Sequence, residues 1–279
     1  MTTSATRISF IGTGNMAGAI IGGLLHTGFK AEQIVGTTRS EDSARKASAS
    51  YGIDVITDND RAVARADVLV LAVKPQMMAA TCSALKSAVQ AKKPLIVSVA
   101  AGLEAATLNE WLGGDLAVIR CMPNTPSMVG AGVSGLYANA AVTEEQKTLV
   151  TEMFDAVGIT HWVTDEADMH TVTAICGSAP AYYYRFTEAL IHCATERGMS
   201  AGDAQRLASQ VALGAARMMT ESPDTPARLR EKVTSPGGTT EQALRIFNEQ
   251  GLDDLMRQAV QACVERSESL ATELATKED

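Results

Sequence analysis

Short apolar runs alternate with longer stretches of helical spacing through the first half of the chain. Residues 7–11, 33–37, 52–56, 68–73, 95–99 and 116–121 read as strands, and the run 68–73 is apolar throughout. Residues 15–26 and 43–50 carry helical spacing between them. A strand without a polar face has to be covered on both sides, as in a parallel sheet flanked by helices. The strand–helix–strand rhythm predicts right-handed crossovers and a doubly wound parallel sheet of Rossmann type. A further strand–helix–strand stretch at 133–163 is expected to extend that sheet.

The pattern changes near residue 165, after which no strand signal returns. Residues 170–196 read as one long helical stretch, bent near Gly177-Ser178-Ala179-Pro180. Helices are expected over 204–221 and 225–232, and Leu252, Leu255, Met256, Ala259, Val260, Cys263 and Val264 fall on one helical stripe. The predicted class is therefore α/β: a Rossmann-type dinucleotide-binding domain over 1–164, then an all-helical domain over 165–279. The helical half is apolar for its size. Its Ala- and Met-rich stretch 211–219 needs a partner to cover it, which predicts a homodimer.

Composition narrows the function classes. The chain has 279 residues, about two domains' worth. Lys and Arg total 24 against 32 Asp and Glu, a net charge of −8, which disfavours nucleic acid and anionic membrane surfaces as partners. No apolar run approaches the ~20 residues that span a bilayer, and the first seven residues are polar, so the cytoplasm is the expected location. The five cysteines are odd in number and lack C-x-x-C spacing, so reduced core thiols are expected. The four histidines form no metal-ligand pattern, and no metal is expected.

Candidate chemistry begins where the first strand runs into Gly12-Thr13-Gly14-Asn15-Met16-Ala17. This G-x-G-x-x-A places glycine at the sharp turn, glycine where backbone approaches a pyrophosphate, and a small residue where helix meets sheet. The amides opening the helix then face an anion. The second strand ends in Gly36-Thr37-Thr38-Arg39-Ser40, with no acid to take the ribose hydroxyls. Hydroxyls and the Arg39 guanidinium suit a 2′-phosphate, which favours NADPH over NADH. Two more strand exits lie where ligands bind in such sheets: Ala72-Val73-Lys74-Pro75 and Cys121-Met122-Pro123-Asn124-Thr125-Pro126. The second offers Asn124 as a hydrogen-bond partner for substrate. In the helical half, Ser235-Pro236-Gly237-Gly238-Thr239-Thr240-Glu241-Gln242 reads as a loop feeding a helix. Thr239 and Gln242 form an expected capping box, and the bare amides suit a carboxylate.

Taken together these motifs resemble the delta-1-pyrroline-5-carboxylate reductase family. Phe10-Ile11-Gly12-Thr13-Gly14-Asn15-Met16, Ala72-Val73-Lys74-Pro75, Ser98-Val99-Ala100-Ala101-Gly102, Arg120-Cys121-Met122-Pro123-Asn124-Thr125-Pro126, the stretch 171–182 and 233–240 occur in the family's order and span nearly the whole chain. One departure is Ala179, where the family usually carries glycine in G-S-G-P-A-Y. The resemblance implies NAD(P)H-dependent reduction of 1-pyrroline-5-carboxylate to L-proline, the last step of proline synthesis, by direct hydride transfer to the imine carbon. It also implies a helical domain that dimerises, with the dimers assembling into a ring such as a decamer. Carried over by position, Ile11, Gly12, Thr13, Gly14, Asn15, Met16, Thr38, Asn59, Ala72, Val73, Lys74, Pro75, Val99, Ala100 and Ala101 should line the cofactor. Ser235, Gly237, Gly238, Thr239 and Thr240 should hold the substrate, with the Thr240 hydroxyl on the ring nitrogen as the catalytic contact. A short-chain 3-hydroxy-acid dehydrogenase shares this layout but needs a base, typically a lysine on the first long helix of its second domain. Residues 170–196 contain none.

Overall fold

The computed structural model describes residues 6–275. Strands β1 (Ile8–Ile11), β2 (Ile34–Thr37), β3 (Asp54–Ile56), β4 (Val68–Leu71), β5 (Leu95–Ser98), β6 (Val118–Met122), β7 (Gly132–Ala138) and β8 (Gly158–Trp162) form one sheet in the order β3-β2-β1-β4-β5-β6-β7-β8. Helices α1 (Asn15–His26), α2 (Glu41–Tyr51), α3 (Asn59–Arg65), α4 (Met78–Lys92), α5 (Ala105–Trp111) and α6 (Glu144–Asp155) connect them. The strands sort their side chains by parity. Ile8, Phe10, Val68, Val70 and Val97 join one apolar cluster with Ile20, Ile21 and Leu24 of α1 and Val150 and Phe154 of α6. Leu69, Leu71, Ile96 and Val118 join the opposite cluster with Met78, Cys82, Leu85 and Val89 of α4. Each such side chain, fully withdrawn from water, stabilises the sheet by roughly 1.5–3 kcal/mol.

The sheet is not parallel throughout, as the sequence led us to expect. β1 to β6 pair in parallel, β7 runs antiparallel to β6, and β8 is parallel to β7. The cause is the connection between β6 and β7. Residues 123–131 hold only a short 3-10 turn (Thr125–Val129), and a parallel return needs a crossover of a dozen residues or more.

Beyond the sheet come α7 (Asp168–Val172), a wide π turn (Thr173–Gly177), α8 (Ala179–Glu196), α9 (Ala201–Glu221), α10 (Pro226–Lys232), α11 (Thr239–Glu249) and α12 (Leu252–Ala275). The bend expected at Gly177–Pro180 is therefore a π turn followed by a new helix. Two compact units result: Ala179–Ala262, and the sheet unit to Ser178 joined by the residues from Cys263 onward. The expected division at 164/165 marks the end of the strands, whereas the compact division lies at 178. The last turns of α12 return to the sheet unit because they bury Ser267, Ala271 and Leu274 there. His170 Nδ1 lies 2.9 Å from Ser267 Oγ, and Cys263 Sγ donates to Ser178 Oγ at 3.3 Å. A half-buried ion pair also ties this unit: Arg120 reaches Glu166 Oε1 at 2.8 Å, and the same oxygen accepts the Ala105 N–H at 2.7 Å.

In the helical unit, α8, α10 and α11 bury no residue and α9 buries only Ala204. Tyr183, Phe186, Val211, Met218, Ile246 and Leu255 are exposed instead.

The cysteines are all free, but they are not all core. Cys82 and Cys121 are buried, Cys176 and Cys263 are half-buried, and Cys193 is exposed. Burial pushes the Cys82 thiol up to about 12 and Cys121 well above the usual thiol range. Neither offers a thiolate near neutral pH.

Candidate active site

The turn after β1 is shaped by what surrounds it. Gly12 has φ +94°, and a Cβ there would lie 3.0 Å from the Ala72 carbonyl oxygen, so only glycine fits. The Gly12 N–H donates to Thr37 Oγ1 at 3.2 Å, and Thr13 Oγ1 donates to the Thr37 carbonyl at 3.4 Å. Thr37 is buried and locks the turn onto β2. Its hydroxyl, one of those in 36–40 expected to suit a 2′-phosphate, is instead buried on the Gly12 amide. Gly14 is the N-cap of α1, with no capping side chain, no acid in the first turn, and no heavy atom within 4 Å of where its Cβ would stand. Uncovered first-turn amides at the positive end of a 12-residue helix fit a pyrophosphate.

The other expected cofactor residues follow the carboxyl ends of neighbouring parallel strands, where ligands bind in such sheets. Thr38 and Arg39 follow β2, and among the described residues the exposed Arg39 side chain makes no hydrogen bond or ion pair. Glu41 is turned away, its Oε1 accepting from Thr57 Oγ1 at 2.7 Å. Asn59 opens α3 after the Asp58 cap. Ala72 and Val73 pack at the Gly12 turn, and Lys74 is extended (φ −61°, ψ 145°) ahead of Pro75, as a pre-proline residue must be. Val99, Ala100 and Ala101 follow β5, with Ala100 N–H on Ser98 Oγ at 3.4 Å. Ile11, Asn15 and Met16 flank the glycine turn itself.

Asn124 is nearly buried, and its amide is engaged by the protein. Oδ1 accepts the Val133 N–H at 3.0 Å and Nδ2 donates to the Cys176 carbonyl at 3.1 Å. It thereby joins the exit of β6, the start of β7 and the π turn.

In the helical unit, Ser235-Pro236-Gly237-Gly238 closes on itself. Gly238 N–H reaches the Ser235 carbonyl at 2.9 Å, and Gly237 takes φ +70°. The capping box expected of Thr239 and Gln242 does not form. Gly238 is the N-cap, Thr239 is already helical, and the Gln242 N–H makes its ordinary helix bond to the Gly238 carbonyl at 3.3 Å. The tight turn starts the helix one residue earlier than the motif suggests. The first-turn amides of α11 thus have no capping side chain, and Thr240 stands at the second helical position. Gly237 N–H is held by Glu241 Oε2 at 2.8 Å, a contact that no motif in the sequence signals.

α1 and α11 both begin on glycine N-caps, on the two turns with which the sequence associated ligands. Comparison with known proteins bears on both. A family profile described as "Pyrroline-5-carboxylate reductase dimerisation" matches residues 166–270, and one described as "NADP oxidoreductase coenzyme F420-dependent" matches 7–102. The pyrroline-5-carboxylate reductase of Pseudomonas aeruginosa is 46% identical over 271 residues, covering 97% of this chain and 99% of that one. That of Pasteurella multocida is 47% identical, covering 95% and 98%. A solved pyrroline-5-carboxylate reductase from Coxiella burnetii superposes with a TM-score of 0.91 at 39% identity, over 96% of this chain and 99% of that one. The Plasmodium falciparum pyrroline carboxylate reductase, solved with NADP bound, does so with a TM-score of 0.84 at 28% identity, over 96% and 99%. With relatives so similar along nearly its whole length, this chain belongs to the pyrroline-5-carboxylate reductase family.

Proposed function

We propose that this protein reduces 1-pyrroline-5-carboxylate to L-proline, the last step of proline synthesis, with NADPH as the preferred cofactor and NADH as the weaker one. The observation that carries the reading is the uncapped start of α11, with backbone donors and a hydroxyl where an imino acid presents a carboxylate and a ring nitrogen. When bound, the nucleotide supplies a hydride from its dihydronicotinamide ring. The chain's own part is to hold the ligands. The Gly14 turn takes the pyrophosphate, Arg39 the 2′-phosphate, and Lys74, Val99, Ala100 and Ala101 border the nucleotide. The Gly237, Thr239 and Thr240 amides take the substrate carboxylate, since the Gly238 amide is already bonded to Ser235. The Thr240 hydroxyl hydrogen-bonds the ring nitrogen. A protonated imine is electrophilic at carbon, so orientation is the main demand and a strong general acid is not needed.

Free thiols, and the lack of any helix among the described residues long and apolar enough to cross a membrane, support a cytoplasmic location. The dimerisation match and the exposed apolar helices support a homodimer, and the family resemblance supports a larger ring such as a decamer. The test is NADPH oxidation with pyrroline-5-carboxylate, with 3-hydroxy acids assayed in reverse as the control. Turnover of only the hydroxy acids would overturn the reading. Arg39→Ala should weaken NADPH by on the order of 1.5–3 kcal/mol while leaving NADH nearly unaffected. Equal weakening of both would show that Arg39 does not read the phosphate.

A further inference from the structure

Glu241 is the acid in the first turn of α11, and its carboxylate accepts the Gly237 N–H at 2.8 Å. This bond is not needed to shape the turn. Pro236 fixes one φ, Gly237 supplies φ +70°, and the Gly238 N–H closes the loop on Ser235. What the Glu241 carboxylate does is occupy a donor. It is the same chemical group that the proposed substrate presents, bonded to an amide of the turn proposed to receive it.

The side chain is exposed and free to leave, and it has somewhere to go. A cavity of about 400 Å³ in the helical unit is lined by Arg230, Thr234, Glu241, Leu244, Arg245 and Asn248 among others. Arg245 is taken by Glu249, with bonds of 2.6 and 2.8 Å. Among the described residues the Arg230 side chain has no hydrogen bond or ion pair, so its guanidinium is available to a displaced carboxylate on the same cavity wall.

We propose that Glu241 is a specificity-determining residue, a built-in carboxylate on the Gly237 amide that a ligand's carboxylate has to displace. The inference rests on the reading of this turn as the substrate site. A donor held by an internal competitor for about 70–90% of the time lowers the apparent affinity of the ligand that needs it by about 3–10-fold. A neutral ligand such as a carboxamide is a weaker acceptor, gains little from that amide and can leave the Glu241 contact in place, so it is hardly penalised.

Calorimetry on the full-length protein tests this with a matched pair of probes, cyclopentanecarboxylate and cyclopentanecarboxamide, which differ in charge. Glu241→Ala should bind the carboxylate about 3–10-fold more tightly than the wild type, Glu241→Gln should gain part of that, and the carboxamide should change less than about twofold. The KM for pyrroline-5-carboxylate should fall in the same order. An unchanged or weaker carboxylate affinity in both variants would overturn the proposal. So would parallel weakening of both probes with a lower melting temperature, the signature of a carboxylate that only braces the turn. Absence of carboxylate binding in all three proteins also overturns it. Reduction of pyrroline-5-carboxylate by the wild type is scored separately, so an active enzyme with indifferent Glu241 variants sinks this inference alone.

Discussion

Thr240 and Thr239 are adjacent hydroxyls with different expected consequences. Thr240→Ala should lower kcat/KM for pyrroline-5-carboxylate by about 10–100-fold, roughly 1.4–2.7 kcal/mol, the size of one hydrogen bond made better in the transition state than in water. Thr240→Ser keeps the hydroxyl and should retain most activity; wild-type kinetics in Thr240→Ala would show that the hydroxyl takes no part. Thr239→Ala should leave the thermal melt within about 0.5 kcal/mol of wild type, because Gly238 and not Thr239 caps the helix. The buried Cys82 thiol gives a pH prediction. Its pKa is raised from 9.0 to about 12 in the folded state, so the native protein keeps a proton that the unfolded chain releases. Stability is then intact below about pH 9 and falls as pH rises toward 12, by on the order of 4 kcal/mol across the window. Melts taken through that range should slope less steeply in Cys82→Ala than in wild type. At this scale Gly12 was legible in the sequence, because its sharp turn and the close approach of the Ala72 carbonyl admit nothing else. Thr37 and Glu241 were not, since their roles depend on a neighbouring strand and on a helix start displaced by one residue.

Elements are read from the sequence through periodicity, and they were recovered where periodicity was undisturbed. The first helix, the buried strands and the change to an all-helical pattern after residue 165 all appear as spacing alone dictates. The direction of β7 carries no such signal, because an antiparallel strand alternates its side chains as a parallel one does. Only the length of the 123–131 connection reveals it. Asn124 sits in that connection and holds it to the π turn. Asn124→Ala would strip the Val133 N–H and the Cys176 carbonyl of their partner, costing on the order of 2–4 kcal/mol in denaturant unfolding. Wild-type stability in that variant would mean that other groups hold the two segments.

For the whole molecule, the helical unit has almost no interior of its own and presents Tyr183, Phe186, Val211 and Met218 to water in a single chain. Sedimentation at low micromolar concentration should therefore show a dimer or larger, and a stable, active monomer would refute the covered-face argument. The apolar composition of the helices made association legible in advance. The discontinuity of the sheet unit was not legible, because the return of α12 to bury Ala271 and Leu274 is a matter of where a helix leads and not of its own pattern. That return sets an order on biosynthesis. The ribosome finishes residues up to 178 and then has to emit Ala179–Ala262 before the segment that completes the sheet unit can appear. At about 5–20 residues per second this leaves the nascent sheet with an uncovered patch for roughly 4–17 s. The helical unit is thus translated while the sheet unit is still unfinished.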